Sequence, residues 1–335
     1  MTAFTPTMEE LGSQVEARLR EFLRERSAAL AEADDMIAAI TASVDAGGKR
    51  LRPAFCYWGY RAAGGAHGPE IVSVAASLEL LHTFAIVHDD IMDKALERRG
   101  RPSVLASHGM ETALLVGDLA LVLADELFMH SGFSPRSISL GFSCYSRMRQ
   151  EVITGQHLDL QAAARSEIDE ATARRIAVLK SGRYSVQEPL AIGATLAGCD
   201  ESYLDRLMLF AAPVGEAFQL RDDLLGSFGA AAETGKPTDS DIRQGKRNIV
   251  FAKALATLTG SDRDWFVARW GAADLQPAEV ERLRSLAEAS ARAPIEELLT
   301  ELKARAAEAL EALSPPEEER AALEALQRLA VDRES

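Results

Sequence analysis

Leu80-Leu81-His82-Thr83-Phe84-Ala85-Ile86-Val87-His88-Asp89-Asp90-Ile91-Met92-Asp93 is the stretch on which the reading of the chain turns. It closes an apolar segment, rich in Ala, Leu and Val, that begins at Glu70 and is predicted to be one long helix. Asp89 and Asp93 are four residues apart, so on a helix they stack on one face. Two carboxylates at that spacing repel unless a cation lies between them, and unpaired charge ending an apolar helix is costly. Hard oxygen ligands of this kind suit Mg²⁺, which binds through one or two carboxylates, its own waters and phosphate oxygens. On this cluster alone, a solvated helix end is an equal reading. His88 points about 100° away from Asp89 and reads as structural. His82, one or two turns upstream, stays near the acids.

A second cluster shifts the balance. Phe218-Gln219-Leu220-Arg221-Asp222-Asp223 again places an acidic pair at the end of an apolar helix. Acids at a helix C-terminus oppose its dipole, so something else must favour them. Two such clusters can face each other across a helical bundle, and carboxylates so arranged hold several Mg²⁺ ions around one diphosphate.

The cations complete the pattern. Gly47-Gly48-Lys49-Arg50-Leu51-Arg52-Pro53 is a basic stretch after a glycine turn, and Arg98-Arg99 follow the first acids within one loop. Lys180 lies mid-helix among apolar residues, and Lys236 and Lys246-Arg247 fall in the long segment from Gly226 to Asn248. Arg and Lys bind phosphate as a fork and as a point charge. Each alone is more often a surface charge. Together with two acid pairs they describe a site for two diphosphates, one bridged by metal and one held by basic side chains.

Composition bounds the alternatives. The chain has 335 residues, 47% apolar and only 6% aromatic, with a net charge of −14. Ala, Leu, Glu and Arg dominate, which favours helix. The acidic balance argues against nucleic acid as a partner. Cys56, Cys144 and Cys199 have neither metal-ligand nor redox spacing, which suits a reducing cytoplasm. No signal peptide and no membrane span are expected, so a lipid-like substrate has to sit inside the protein. There is no Gly-x-Ser-x-Gly elbow and no P-loop. Helices are predicted over two stretches within 8–44, then 50–63, 70–93, 110–130, 137–164, 167–197, 201–225 and 249–335. The last begins anew at Ser314-Pro315-Pro316-Glu317. Gly226 to Asn248 reads as a long mobile loop, the lid of the chain. No strand and no short repeat is expected.

The motifs, in order, resemble those of the trans-isoprenyl diphosphate synthases, the family of farnesyl and geranylgeranyl diphosphate synthases. They are Gly-Gly-Lys-Arg-Leu-Arg-Pro at 47–53, Leu-Leu-His-Thr at 80–83, Asp-Asp-Ile-Met-Asp at 89–93 and Arg-Arg-Gly-Arg-Pro-Ser at 98–103. Gly155-Gln156 with Asp159, Lys180-Ser181, Phe218-Gln219 with Asp222-Asp223, Thr234-Gly235-Lys236 and Gly245-Lys246-Arg247 follow. They cover about residues 45–250. The resemblance implies an all-α fold, a single large helical bundle around a deep central cavity (the isoprenoid synthase fold), formed by one domain over 1–335, and a homodimer.

The resemblance also implies roles. Asp89, Asp93 and Asp222 are Mg²⁺ ligands, supported by Asp90 and Asp223, with about three ions per site and Mn²⁺ able to substitute. Lys49, Arg52, His82 and Arg99 bind isopentenyl diphosphate. Arg98, Lys180 and Lys236 bind the allylic diphosphate, with Lys246 assisting, and Ser181 and Gln219 line the reacting centre. The family's second motif carries a third aspartate where this chain has Gly226, which leaves the water-mediated coordination there in question.

Product length follows from the cavity floor, expected under the Asp89 helix. Ala85 lies one turn, roughly 6 Å, below the acids, and Phe84 is its neighbour. One aromatic and one small residue look like the twenty-carbon pattern, so geranylgeranyl diphosphate is the expected product. Farnesyl diphosphate is the alternative. Phe84 as plain core would say nothing of length. A class I terpene cyclase has no use for Lys49, Arg52 and Arg99, and a non-catalytic partner subunit of a hetero-oligomeric synthase should have lost acids or basic contacts.

Overall fold

The computed structural model describes residues 6–229 and 239–332. Among the described residues nearly all regular structure is helical, as the composition and the 3.6-residue periodicity predict. They divide into two compact units, taken in turn.

The first unit comprises Met1–Tyr145, Glu188–Leu204 and Pro315–Leu326. It contains α1 (Met8–Ala29), α2 (Asp34–Asp45), α3 (Leu51–Ala62), α4 (Pro69–Met92), α5 (Val104–His108) and α6 (Met110–Met129). The start of α7 (Pro135–Ala163) and α9 (Glu188–Leu196) also belong to it. Helix α1 begins with a capping box, Thr7 accepting from the Glu10 amide and Glu10 from that of Thr7. Helix α4 packs on α6, and α3 on α9. Backbones meet closely at the second pair: a Cβ on Gly59 would stand 2.5 Å from the Leu190 carbonyl, and one on Gly193 would overlap that of Cys56. Helix α4 is long and apolar enough to cross a membrane by length and composition, but 72% of its most apolar window is buried in the protein. Ile71, Val74, Leu80 and Leu81 are fully buried, each contributing roughly 1.5–3 kcal/mol.

One expectation is corrected here. Glu97–Arg98 and Arg101–Pro102 pair as a minimal antiparallel hairpin where no strand was expected. Arg99 and Gly100 both have positive φ, 53° and 70°, as in the tight turns that join two twisted strands. Two-residue strands are too short to leave an alternating pattern in the sequence.

The second unit comprises Ser146–Gln187, Asp205–Ser314 and Gln327–Ser335. The predicted helix 167–197 is in fact three elements: α8 (Glu170–Ala177), a π-helical turn over Val178–Gln187, and α9. The long helix α10 (Glu201–Phe228) runs through Gly226 and three residues beyond the predicted end. A short helix α11 (Ser240–Gln244) lies inside the predicted lid loop. Residues 230–238 of that loop, with Thr234, Gly235 and Lys236, fall outside the described residues. The chain continues through α12 (Ile249–Thr257), α13 (Gly260–Arg269), α14 (Pro277–Leu313) and α15 (Glu317–Val331). Helix α15 follows directly after Pro315 and Pro316, as predicted.

Candidate active site

In the first unit, α4 stops at Met92 and Asp93 caps it, its amide bonded to the Asp89 carbonyl at 2.8 Å. Asp89 and Asp93 both stay partly exposed. Asp90 does not: it is 3% exposed and holds Arg98, whose Nε donates to Asp90 Oδ1 at 2.9 Å. The same guanidinium reaches Asp89 Oδ2 at 3.4 Å. The hairpin thus returns Arg98 onto the acids eight residues before it, and these carboxylates hold its pKa above the usual value against the effect of burial. Asp90 positions Arg98, while Asp89 and Asp93 stay partly exposed at the end of α4.

Arg99, on the turn of the hairpin, donates to the Gly47 carbonyl, with its guanidinium packed over Gly48. Lys49 is exposed in the loop that leads into α3. Arg50 adopts the left-handed conformation (φ 49°) at the start of that helix and is buried against Glu79, Nη1 to Oε2 2.6 Å. His82 has its pKa lowered well below the ordinary histidine value, by burial first and then by Arg52 and Arg99. A neutral imidazole among guanidiniums is a donor and an acceptor rather than one more cation. Arg52 and Arg99 are thus both within electrostatic reach of His82. One hollow in this unit is lined by Ser43, Asp90, Arg98, Arg99 and Ser103, and excludes Asp89 and Asp93.

Below the acids, Phe84 is buried edge-to-face against the His88 ring, with centroids 4.8 Å apart. His88 Nε2 lies 3.1 Å from the Leu114 carbonyl, and its ring packs on Gly117, where any Cβ would collide with it. His88 is structural, as its helical phase indicates. Ala85 is partly exposed, one turn before Asp89 on the same face.

In the second unit, the π-helical turn carries Lys180 and Ser181. Wide turns of this kind recur at functional positions. Lys180 Nζ donates to Asp159 Oδ2 at 2.6 Å, and Ser181 is buried. On α10, Gln219 Nε2 donates to Asp223 Oδ1 at 2.7 Å, while Asp222 is partly exposed. Asp223 is pushed up to about 8, by burial first and then by Asp241. Asp241, on α11, was not singled out in the sequence, where one acid among many in a charged loop carries no signal. Its carboxylate is buried, accepts from Asn248 Nδ2 at 3.1 Å, and has Lys246 Nζ 3.9 Å away.

Asp241 also explains Gly226. A Cβ at 226 would stand 2.5 Å from Asp241 Oδ2 and 2.7 Å from its Cγ. The space that a third motif aspartate would enter is filled by an aspartate from another helix. Glycine costs about 1 kcal/mol in mid-helix, and this close approach is the reason for it. Gly226→Asp, which would restore the family pattern, is expected to lower rather than raise Mg²⁺ affinity, by roughly tenfold. Titration of Mg²⁺ against initial rate checks it; a gain in affinity would show that the space can be vacated.

The donor set fits Mg²⁺. Among the described residues no three His, Cys, Asp or Glu side chains already converge as a metal cage. Mg²⁺ does not need one, since it is commonly held by one or two carboxylates with waters and substrate phosphates. Asp89 and Asp93 would hold it in the first unit and Asp222 in the second.

The family model described as polyprenyl synthetase matches residues 34–287. A (2E,6E)-farnesyl diphosphate synthase of Mycobacterium bovis is 34% identical over 249 residues, covering 72% of this chain and 66%, just under two thirds, of that one. A geranylgeranyl diphosphate synthase of Sulfolobus acidocaldarius is 36% identical over 216 residues, covering 62% of this chain and 63% of its own. In structure, the chain is similar to a geranylgeranyl pyrophosphate synthase of Corynebacterium glutamicum complexed with isoprenyl diphosphate and magnesium. That likeness has a TM-score of 0.93 and 31% identity, over 98% of this chain and 100% of the other. The fold is the isoprenoid synthase fold, and this chain belongs to the polyprenyl synthetase family.

Proposed function

We propose that the protein condenses isopentenyl diphosphate head-to-tail with an allylic diphosphate, with geranylgeranyl diphosphate as its main product. The observation that carries the reading is the division of labour in the first unit. There Asp89 and Asp93 end α4 partly exposed, as suits a metal ion, and His82 is held neutral by burial and then by Arg52 and Arg99. A terpene cyclase has no second diphosphate for those cations to bind.

In this reading Lys49, Arg52, His82 and Arg99 hold isopentenyl diphosphate. Arg98, Lys180 and Lys246 bind the allylic diphosphate, together with Lys236 outside the described residues. Asp89 and Asp93, and Asp222, would hold Mg²⁺, which when bound would neutralise charge on a departing pyrophosphate. Lys180 and Arg98 would each donate to the allylic diphosphate as charge develops on it. Both are paired with carboxylates, Asp159 and Asp90, which fix their direction before substrate arrives. The isopentenyl double bond attacks the allylic carbon, and a proton is then lost to the pyrophosphate. Ser181 and Gln219 line the reacting centre, and apolar walls keep water from the cation.

The twenty-carbon assignment rests on Ala85, partly exposed one turn below Asp89. Ala85→Phe is expected to shift the main product to fifteen carbons; unchanged product length would remove Ala85 from the floor. Helix α6 leaves Leu114, Leu115, Val122 and Met129 exposed. The last three recur every seventh residue as one stripe, which supports a homodimer built on this helix. The free cysteines, two of them buried, suit a cytoplasmic setting.

The test is to incubate the purified chain with Mg²⁺, isopentenyl diphosphate and, in turn, the five-, ten- and fifteen-carbon allylic diphosphates. Twenty-carbon product is expected. Fifteen-carbon product would favour a farnesyl synthase, which the Mycobacterium bovis relative is named as. No condensation by the folded chain alone would overturn the proposal, and sedimentation of the same sample reads the dimer.

A further inference from the structure

We infer that Arg221 is a positioning residue for the second aspartate cluster, and that helix α14 and the C-terminal end of α15 serve as its brace. The inference rests on the reading of Asp222 as a metal ligand. Arg221 immediately precedes Asp222, and all three guanidinium nitrogens are engaged. Nη1 and Nη2 bond Glu296 Oε1 and Oε2 at 2.9 and 3.0 Å, and Nε donates to the Val331 carbonyl at 3.0 Å. Arg221 is largely buried, with a side-chain exposure of 17%, and the Val331 it holds is fully buried. A bidentate Arg–carboxylate pair fixes direction as well as distance.

The same helix, α14, grips α10 again two turns on. Arg284 Nη2 donates to the Phe228 carbonyl at 3.2 Å, and the Arg292 guanidinium lies 4.9 Å from the centre of the Phe228 ring. Residues 221 and 228 are seven apart and share a face of α10. Asp222 stands about 100° round from that face. The brace therefore holds the helix by one side and leaves the acids on another. It also gives a task to the C-terminal helices, which carry no catalytic motif. A carboxylate that must meet a metal with small positional error needs its own backbone held.

The test compares Arg221→Gln, Arg221→Lys and Glu296→Gln with the parent and with Asp222→Asn. Mn²⁺ binding in the presence of inorganic pyrophosphate is followed by the electron paramagnetic resonance of the free ion, and KM is measured for each substrate. Arg221→Gln is expected to weaken, by roughly ten- to hundredfold, the part of Mn²⁺ binding that Asp222→Asn removes. It should also raise KM for the allylic diphosphate and leave that for isopentenyl diphosphate unchanged. Arg221→Lys should restore part of the loss. Glu296→Gln should follow Arg221→Gln at smaller size, and the double variant should be no worse than Arg221→Gln alone. Parent-like Mn²⁺ binding in both Arg221→Gln and Glu296→Gln would overturn the inference, as would losses that follow the melting temperature and touch both substrates equally. If Asp222→Asn itself left Mn²⁺ binding intact, the metal reading of the second cluster would fall, and the brace with it.

Discussion

Asp89→Ala is expected to lower kcat/KM about a thousandfold while leaving the fold as stable as before. Asp89 is one of two partly exposed acids at the end of α4. Alanine is the best helix former, and Arg98 keeps its principal bonds to Asp90 when the 3.4 Å contact to Asp89 is lost. With Asp89 as the proposed metal ligand, its loss would remove charge neutralisation worth several kcal/mol in the transition state, and each 1.36 kcal/mol is tenfold in rate. Its neighbour should behave in the opposite way. Asp90 is buried and its carboxylate holds Arg98, which is only partly exposed. Asp90→Ala should therefore lower the unfolding free energy by about 3 kcal/mol, since removing one partner leaves a poorly solvated charge behind. Rates and urea unfolding of the two variants, measured side by side, separate the roles. Equal destabilisation by both would refute the division between metal ligand and Arg98 holder.

The second large effect lies in a residue that touches no substrate. Glu79 is buried within the apolar run of α4 and pairs Arg50, which is buried with it. Arg50 has two further partners, the Val44 carbonyl at 2.6 Å and Glu16 at 3.2 Å. It also holds the left-handed turn that opens α3, where Lys49 precedes it and Arg52 follows. Breaking a buried pair by removing one member costs about 3–5 kcal/mol. Glu79→Ala is expected at the low end of that range, because Glu16 still meets Arg50. KM for isopentenyl diphosphate should rise with it, since Glu79 also acts on Arg99. Glu79→Gln keeps the shape and one acceptor, and should recover part of both losses. Urea unfolding and substrate titration read the two effects. A Glu79→Ala protein with parental stability would show that Glu16 alone suffices for Arg50.

Both predictions turn on pairings that the linear pattern does not contain. Asp89 and Asp90 are adjacent and identical in type, and only the hairpin at Glu97–Pro102 decides which of them Arg98 takes. Lys180 and Asp159 could each be matched to the family on sequence, but not to each other. Gly226 read as a defect in a motif. With α11 in place it is the gap into which the Asp241 carboxylate fits. Glycines and charges make Gly226 to Asn248 read as a loop, yet Gly226 lies within α10 and Ser240–Gln244 form α11, five residues that give no period to count.

By itself the sequence determined what depends on local order. The 3.6-residue recurrence of apolar positions set the helical class, and the acids at the end of α4 and within the last two turns of α10 stood out as candidate metal ligands. The ordered Lys and Arg motifs stood out as candidate diphosphate partners, and Ala85 and Phe84 as candidate floor residues by counting back one turn from Asp89. Helical phase and residue type are enough for each of these. The tertiary structure alone decided which charges are already engaged: Asp90 with Arg98, Asp159 with Lys180, Glu79 with Arg50, Arg221 with Glu296 and the end of α15. Such pairings join residues between eight and 110 positions apart. They form where packing brings helices together and burial makes an unpaired charge costly, and no local pattern encodes either condition.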